Sequence, residues 1–128
     1  MKKRILILSG GISKERSISL DTGNQVAKEL KKKYSVKICE PDNNLEKNIK
    51  KFKPHKIFNA LHGQFGEDGY IQTIIENYKI PYTHSGVIAS AIAMDKDISK
   101  RIFLKNNILT PKYINFTFDK EPKELTKN

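Results

Sequence analysis

Arg4-Ile5-Leu6-Ile7-Leu8, broken by Ser9-Gly10-Gly11, is the stretch that decides the fold class. An apolar run without polar alternation is the pattern of a strand covered on both faces, as strands of parallel sheets are. Beyond it, from about Ser17 to Lys33, Ile18, Val26, Ala27 and Leu30 recur at helical spacing, although Gly23 weakens the middle. Ser35 to Cys39 reads as a second strand, Leu45 to Phe52 as a lysine-rich helix stopped by Pro54, and Lys56 to Leu61 as a third strand. Tyr70 to Asn77 carries Ile71, Ile74 and Ile75 at helical spacing, and Pro81 makes Ile80 to Thr83 extended. Val87 to Met94 is a helix of small residues that can approach its neighbours closely. Asp95 is placed to cap a further helix reaching about Asn106, where Asn106-Asn107 suits a left-handed turn; Tyr113 to Phe116 reads as a last strand. Strands alternating with helices predict an α/β fold, one three-layer domain around a mainly parallel sheet.

The length of 128 residues allows one such domain and gives it enough surface to build a core without disulfides or a structural metal. The single Cys39 rules out an intramolecular disulfide and any thiolate cluster. No apolar stretch approaches the roughly 20 residues that span a bilayer, and the short run after Met1-Lys2-Lys3-Arg4 does not make a secretory signal. The expectation is a soluble, cytoplasmic domain without a membrane partner. The formal charge of +10 does not by itself indicate nucleic acid. Of the 24 basic residues 21 are Lys, scattered along the chain, and only Arg4, Arg16 and Arg101 offer the bidentate fork of specific phosphate and base readers. No nucleic-acid partner is expected.

Ligands of parallel sheets bind in the loops after the carboxyl ends of the strands. Two loops here hold that position and both are unusual. The first, Gly10-Gly11-Ile12-Ser13-Lys14-Glu15-Arg16-Ser17, fits neither a dinucleotide fingerprint nor a phosphate loop. It offers a carboxylate, Glu15, near a helix start; that group either serves the helix terminus or faces a substrate ammonium. The second, His62-Gly63-Gln64-Phe65-Gly66-Glu67-Asp68-Gly69, puts three glycines, a histidine and two acids into eight residues. Asp68 suits a cap of the helix that follows, Glu67 a pairing with Arg16 or a nearby Lys, and His62 a hydrogen bond to a ligand carboxylate. His55, His62 and His84 have no spacing that supports a metal site, and no metal ligand is assigned to this chain.

Gly10 to Leu20 and, more distinctively, His62 to Gln72 closely resemble motifs of D-alanine–D-alanine ligases. Ile80-Pro81-Tyr82-Thr83-His84-Ser85-Gly86 and Ala89-Ser90-Ala91-Ile92-Ala93-Met94-Asp95-Lys96 continue the resemblance in the same order, and it covers about residues 4 to 116. Two positions depart from the family pattern: Thr73 stands where a small residue is usual, a change of helix packing, and His84 where glycine is usual, which puts the backbone conformation there in question.

The resemblance implies a Rossmann-like (pre-ATP-grasp) domain over 1–118, the N-terminal substrate-side part of the ligase, with 119–128 beginning the connection to an ATP-grasp domain that this chain lacks. A complete ligase of this family joins two D-alanines for peptidoglycan, and so for cell-wall biogenesis and cell shape, using ATP and magnesium. One substrate carboxylate becomes an acyl phosphate, and the amine of the second attacks it. By the same resemblance Glu15 is the catalytic candidate and anchors the ammonium of the first D-alanine. His62 lies near that substrate, and Lys96 contacts the ATP phosphates. Gly10, Gly11, Gly63, Gly66, Glu67, Asp68 and Gly69 form the loop scaffold. The full enzyme is expected to be a homodimer, and this chain alone to be inactive. A stand-alone α/β module that binds an amino acid or dipeptide without turning it over is the alternative.

Overall fold

The computed structural model describes residues 2–115. They fall into two compact units, one ending at Met94 and one beginning at Asp95. The first is built on strands β1 (Arg4–Leu8), β2 (Ser35–Cys39) and β3 (Lys56–Asn59), with helices α1 (Arg16–Leu30), α2 (Leu45–Phe52), α3 (Tyr70–Glu76) and α4 (Val87–Met94). The strands are parallel in the order β2-β1-β3, and β1 is central, with Ile7 opposite Ile38 on one side and Phe58 on the other. The α/β class with a parallel sheet is thus the one observed. The extended piece at Pro81 adds a single bridge to β3. Ile57 N–H donates to the Pro81 carbonyl at 3.0 Å, and Thr83 N–H donates to the Ile57 carbonyl at 3.1 Å.

Side chains alternate along β1, so it feeds two half-cores. Leu6 and Leu8, with Ile57 of β3, meet Leu45 and Ile49 of α2 and Ile71 and Ile75 of α3. Ile5 and Ile7 meet Val26, Ala27 and Leu30 of α1 on the other face. Covering both faces removes Leu6, Ile7 and Leu8 from water altogether, which is why this strand has no polar alternation. Lys53, with φ 48°, caps α2 in the left-handed conformation ahead of Pro54.

Of the apolar positions expected for α1, Val26, Ala27 and Leu30 pack on the sheet and Ile18 does not. Ile18 is 54% exposed, whereas Ser19, Gly23 and Ala27, four residues apart, are the buried positions. A face of small residues lets the helix lie close to the sheet, and the polar Ser19 is tolerated there because its hydroxyl is fully bonded.

Tyr82 packs on the larger half-core and donates its hydroxyl to the Glu76 carboxylate at 2.7 Å. Burial first, and then the bond to Glu76, push this phenol up to about 12. The unfolded chain releases the same proton near pH ~10. The stability this group contributes is therefore complete below pH ~10 and lost as the pH rises to about 12. Ultraviolet titration of the five tyrosines should show one late ionisation, and Glu76→Gln should move it to lower pH.

In the second unit α5 (Lys96–Lys105) begins as expected: the Asp95 carboxylate accepts from Ile98 N–H at 3.0 Å. Asn107, with φ 57°, takes the left-handed turn, while Asn106 does not. Lys100 Nζ donates to Thr110 Oγ1 at 3.1 Å and to the Pro111 carbonyl at 2.9 Å, and lies 5.0 Å over the Tyr113 ring. The expected strand at Tyr113 to Phe116 is not found: 113–115 join no ladder, and the chain there is tied to Lys100 instead. Phe116 and the expected connection over 119–128 lie outside the described residues.

Candidate functional site

β1 and β3 are neighbours and parallel, so the loops that leave their carboxyl ends emerge side by side. The first is bent by Gly10 and Gly11 and runs into α1. Glu15 occupies the N-cap position of α1, but its side chain makes no capping bond; its own N–H donates to Ser13 Oγ at 2.9 Å. Its carboxylate is turned to the second loop. A Cβ placed on Gly63 would lie 2.7 Å from Glu15 Oε2 and 3.0 Å from Ser13 Oγ, and the Gly63 backbone has φ +70°. Gly63 therefore admits Glu15 to the second loop twice over, through its missing side chain and through a conformation that glycine takes at no cost. Among the described residues the Glu15 carboxylate has no ion-pair partner.

The second loop is held from within. Glu67 Oε2 accepts from Gly63 N–H at 2.8 Å, and Glu67 Oε1 faces His62 Nδ1 at 3.9 Å. The other ring nitrogen of His62, Nε2, lies 3.4 Å from Thr22 Oγ1 of α1. Asp68 accepts from Tyr70 N–H at 3.1 Å and from Phe65 N–H at 2.8 Å, but Gly69, not Asp68, holds the N-cap position of α3. The pairing expected of Glu67 with Arg16 does not form. Arg16 is bonded to Glu40 at the end of β2, which draws the guanidinium away from the second loop. Gly69 precedes α3 with φ +96°.

A cavity of about 520 Å³ opens between the loops. Gly10 to Ser13, His62 and Gln64 to Gly66 line it, with Pro41 to Asn43 from the turn before α2; Glu15 and Gly63 stand next to lining residues without lining it themselves. His62 thus faces the cleft, as its place after a strand suggested. Volume is ample: ligand pockets run from roughly 300 Å³ upward. Lys96, the expected phosphate contact, is the exposed first residue of α5 in the second unit. His84 has φ +77°, so the turn that favours glycine is adopted by histidine in the left-handed region. Its ring stands edge-on to Phe58 at 6.1 Å, and its Nδ1 lies 3.0 Å from Thr83 Oγ1.

Four residues that place these loops escaped the sequence reading as such. Ser19 and Thr22 look like ordinary polar positions of α1. Asn59 Nδ2 and Gln72 Nε2 donate to one acceptor, the Gly66 carbonyl, at 2.9 and 3.0 Å. The signal was faint: a lone Asn ending an apolar strand, and a Gln among isoleucines, neither of which declares a partner.

No family model matches the chain. A D-alanine–D-alanine ligase of Pelagibacter ubique is 73% identical over 128 residues, which cover 99% of this chain and 42% of that protein. A ligase of the same name from Carboxydothermus hydrogenoformans is 44% identical over 93% of this chain and 38% of its own length. Among solved structures, D-alanine–D-alanine ligase from Bacillus anthracis in complex with ATP superposes with a TM-score of 0.80 at 36% identity, covering 96% of this chain and 43% of that one. The chain spans about two fifths of the length of these relatives and matches their N-terminal part. The resemblance read from the two loops stands.

Proposed function

We propose that this chain, similar throughout to the N-terminal part of D-alanine–D-alanine ligases, is the substrate-side domain of such an ATP-dependent ligase. The observation that carries the reading is the Glu15 carboxylate, an anion without an ion-pair partner among the described residues, held against Gly63 next to the cavity that His62 lines. An α-amino acid presents opposite charges on adjacent groups. Glu15 supplies the charge-assisted acceptor for its ammonium, and Nδ1–H of His62, which at 3.9 Å makes no hydrogen bond to Glu67, supplies a donor for its carboxylate. Held in this way, the first D-alanine keeps its carboxylate open to phosphorylation, after which a second D-alanine's amine displaces the phosphate to form the peptide bond. Glu15 and His62 bind and orient; the transferred charge is stabilised by the part of a ligase beyond this chain.

Lys96 is a compact cation suited to a phosphate of ATP. Among the described residues no three His, Cys, Asp or Glu side chains gather where a metal ion could sit, so no step is assigned to magnesium here. Preorganised charge supplies the largest share of most rate enhancements, so the chain alone is expected to be inactive. The parent ligase is read as a cytoplasmic homodimer that serves peptidoglycan synthesis. No helix among the described residues is long and apolar enough to cross a membrane.

Titration of the isotope-labelled chain with D-alanine should shift the amide resonances of Gly63 and its neighbours. Glu15→Gln should weaken binding by roughly tenfold to a hundredfold, the range for a hydrogen bond to a charged group. Equal affinity of Glu15→Gln and the native chain would sink the reading, as would ADP release by the chain at the rate of a complete ligase.

A further inference from the structure

Ser19, Thr22 and Gly23 share one side of α1, and that side faces the ends of β1 and β3. Ser19 is fully buried, and its hydroxyl is used in both directions: it accepts from Gly10 N–H at 2.8 Å and donates to the Ala60 carbonyl at 2.7 Å. Gly10 begins the first loop, and Ala60 stands two residues before His62. One hydroxyl thus spans both loop origins. Gly23 lets the helix come near enough for this, since a Cβ there would lie 2.6 Å from the Ser9 Cβ.

The hydroxyl of Thr22, one residue before that glycine, reaches His62 Nε2 at 3.4 Å, while Glu67 faces Nδ1 at 3.9 Å. A polar partner on each side gives the ring one preferred orientation, because a half-turn about its bond to Cβ would set carbon atoms against both. Glu67 is itself fixed by the Gly63 N–H.

We propose that Ser19 and Thr22 are positioning residues: Ser19 sets the spacing of the two loops, and Thr22 sets the orientation of the His62 ring. Neither hydroxyl needs to touch a substrate. Support of this kind, from rigid elements behind the contacting groups, is what holds a binding geometry to a fraction of an ångström. The consequence for D-alanine rests on the function proposed above; the ring orientation does not.

Nuclear magnetic resonance of the 128-residue chain separates the two. Couplings across the Cβ–Cγ bond of His62 should report one rotamer of the ring in the native chain, averaging in Thr22→Val, which keeps the volume and drops the hydroxyl, and one rotamer again in Thr22→Ser. Ser19→Ala should speed hydrogen exchange of the Gly10 amide at least about tenfold relative to Ile7. Should Ser19→Ala fail to fold, the Thr22 pair still decides. A single rotamer in Thr22→Val, or averaging in Thr22→Ser, overturns the proposal. D-alanine affinity should fall roughly fivefold in Thr22→Val at an unchanged thermal midpoint. A native chain that ignores D-alanine refutes the proposed function and leaves the ring measurement to judge Thr22.

Discussion

Gly66→Ala is expected to lower the unfolding free energy by about 3 kcal/mol and to displace the second loop. A Cβ at this buried position would lie 2.5 Å from the Leu61 Cβ, 3.1 Å from the Leu61 carbonyl carbon and 3.3 Å from His62 N. None of these atoms is the end of a flexible side chain, so the loop must move as a body. Movement takes the Gly66 carbonyl from Asn59 and Gln72, whose amides are both buried. Leaving buried donors unpaired adds about 1–3 kcal/mol to the steric cost. Urea unfolding followed by circular dichroism measures the loss, and a midpoint change worth less than about 1 kcal/mol contradicts this packing.

Leu6→Ala should cost about as much for a different reason. Leu6 is fully buried on the central strand, in the half-core it shares with Ile49, Ile57, Ile71 and Ile75. Truncation removes the transfer free energy of the lost methyl groups and leaves a cavity, together about 2–5 kcal/mol. Domains of this size are stable by roughly 5–15 kcal/mol in all, so the variant should unfold at markedly lower urea with an unchanged slope. A loss below about 1 kcal/mol would mean that the half-core collapses around the gap.

How much of this was legible beforehand depended on whether the deciding partner lies nearby in the chain. β1 and β2 were read to the residue, and α2 likewise, because a run of apolar residues or a proline states its own case. The dense glycines and acids of 62–69 marked that loop as functional. By contrast Ile18 was counted among the apolar positions of α1 and Ser19 was not, since periodicity counts apolar side chains and cannot see that a buried hydroxyl is satisfied by groups nine and 41 residues away. Arg16 was one of the partners offered to Glu67, a nearby Lys being the other, for want of knowing that Glu40, just after β2, takes the guanidinium. Tyr113 to Phe116, following Pro111, was read as a last strand, but a strand needs a ladder to join, and 113–115 join none. The glycine-like turn at 84 was legible only as a departure, and φ +77° there explains why the position favours glycine.

The parallel order of the three strands also has a practical side. Every loop that builds the cavity leaves from one rim of the sheet, so the opposite rim is a place to attach things. There the Lys31-Lys32-Lys33 turn between α1 and β2 is exposed and lines no part of the cavity. Exposed turns of this kind tolerate insertion. A surface tether placed at Lys32 should therefore leave the binding loops undisturbed and the cavity open to solvent.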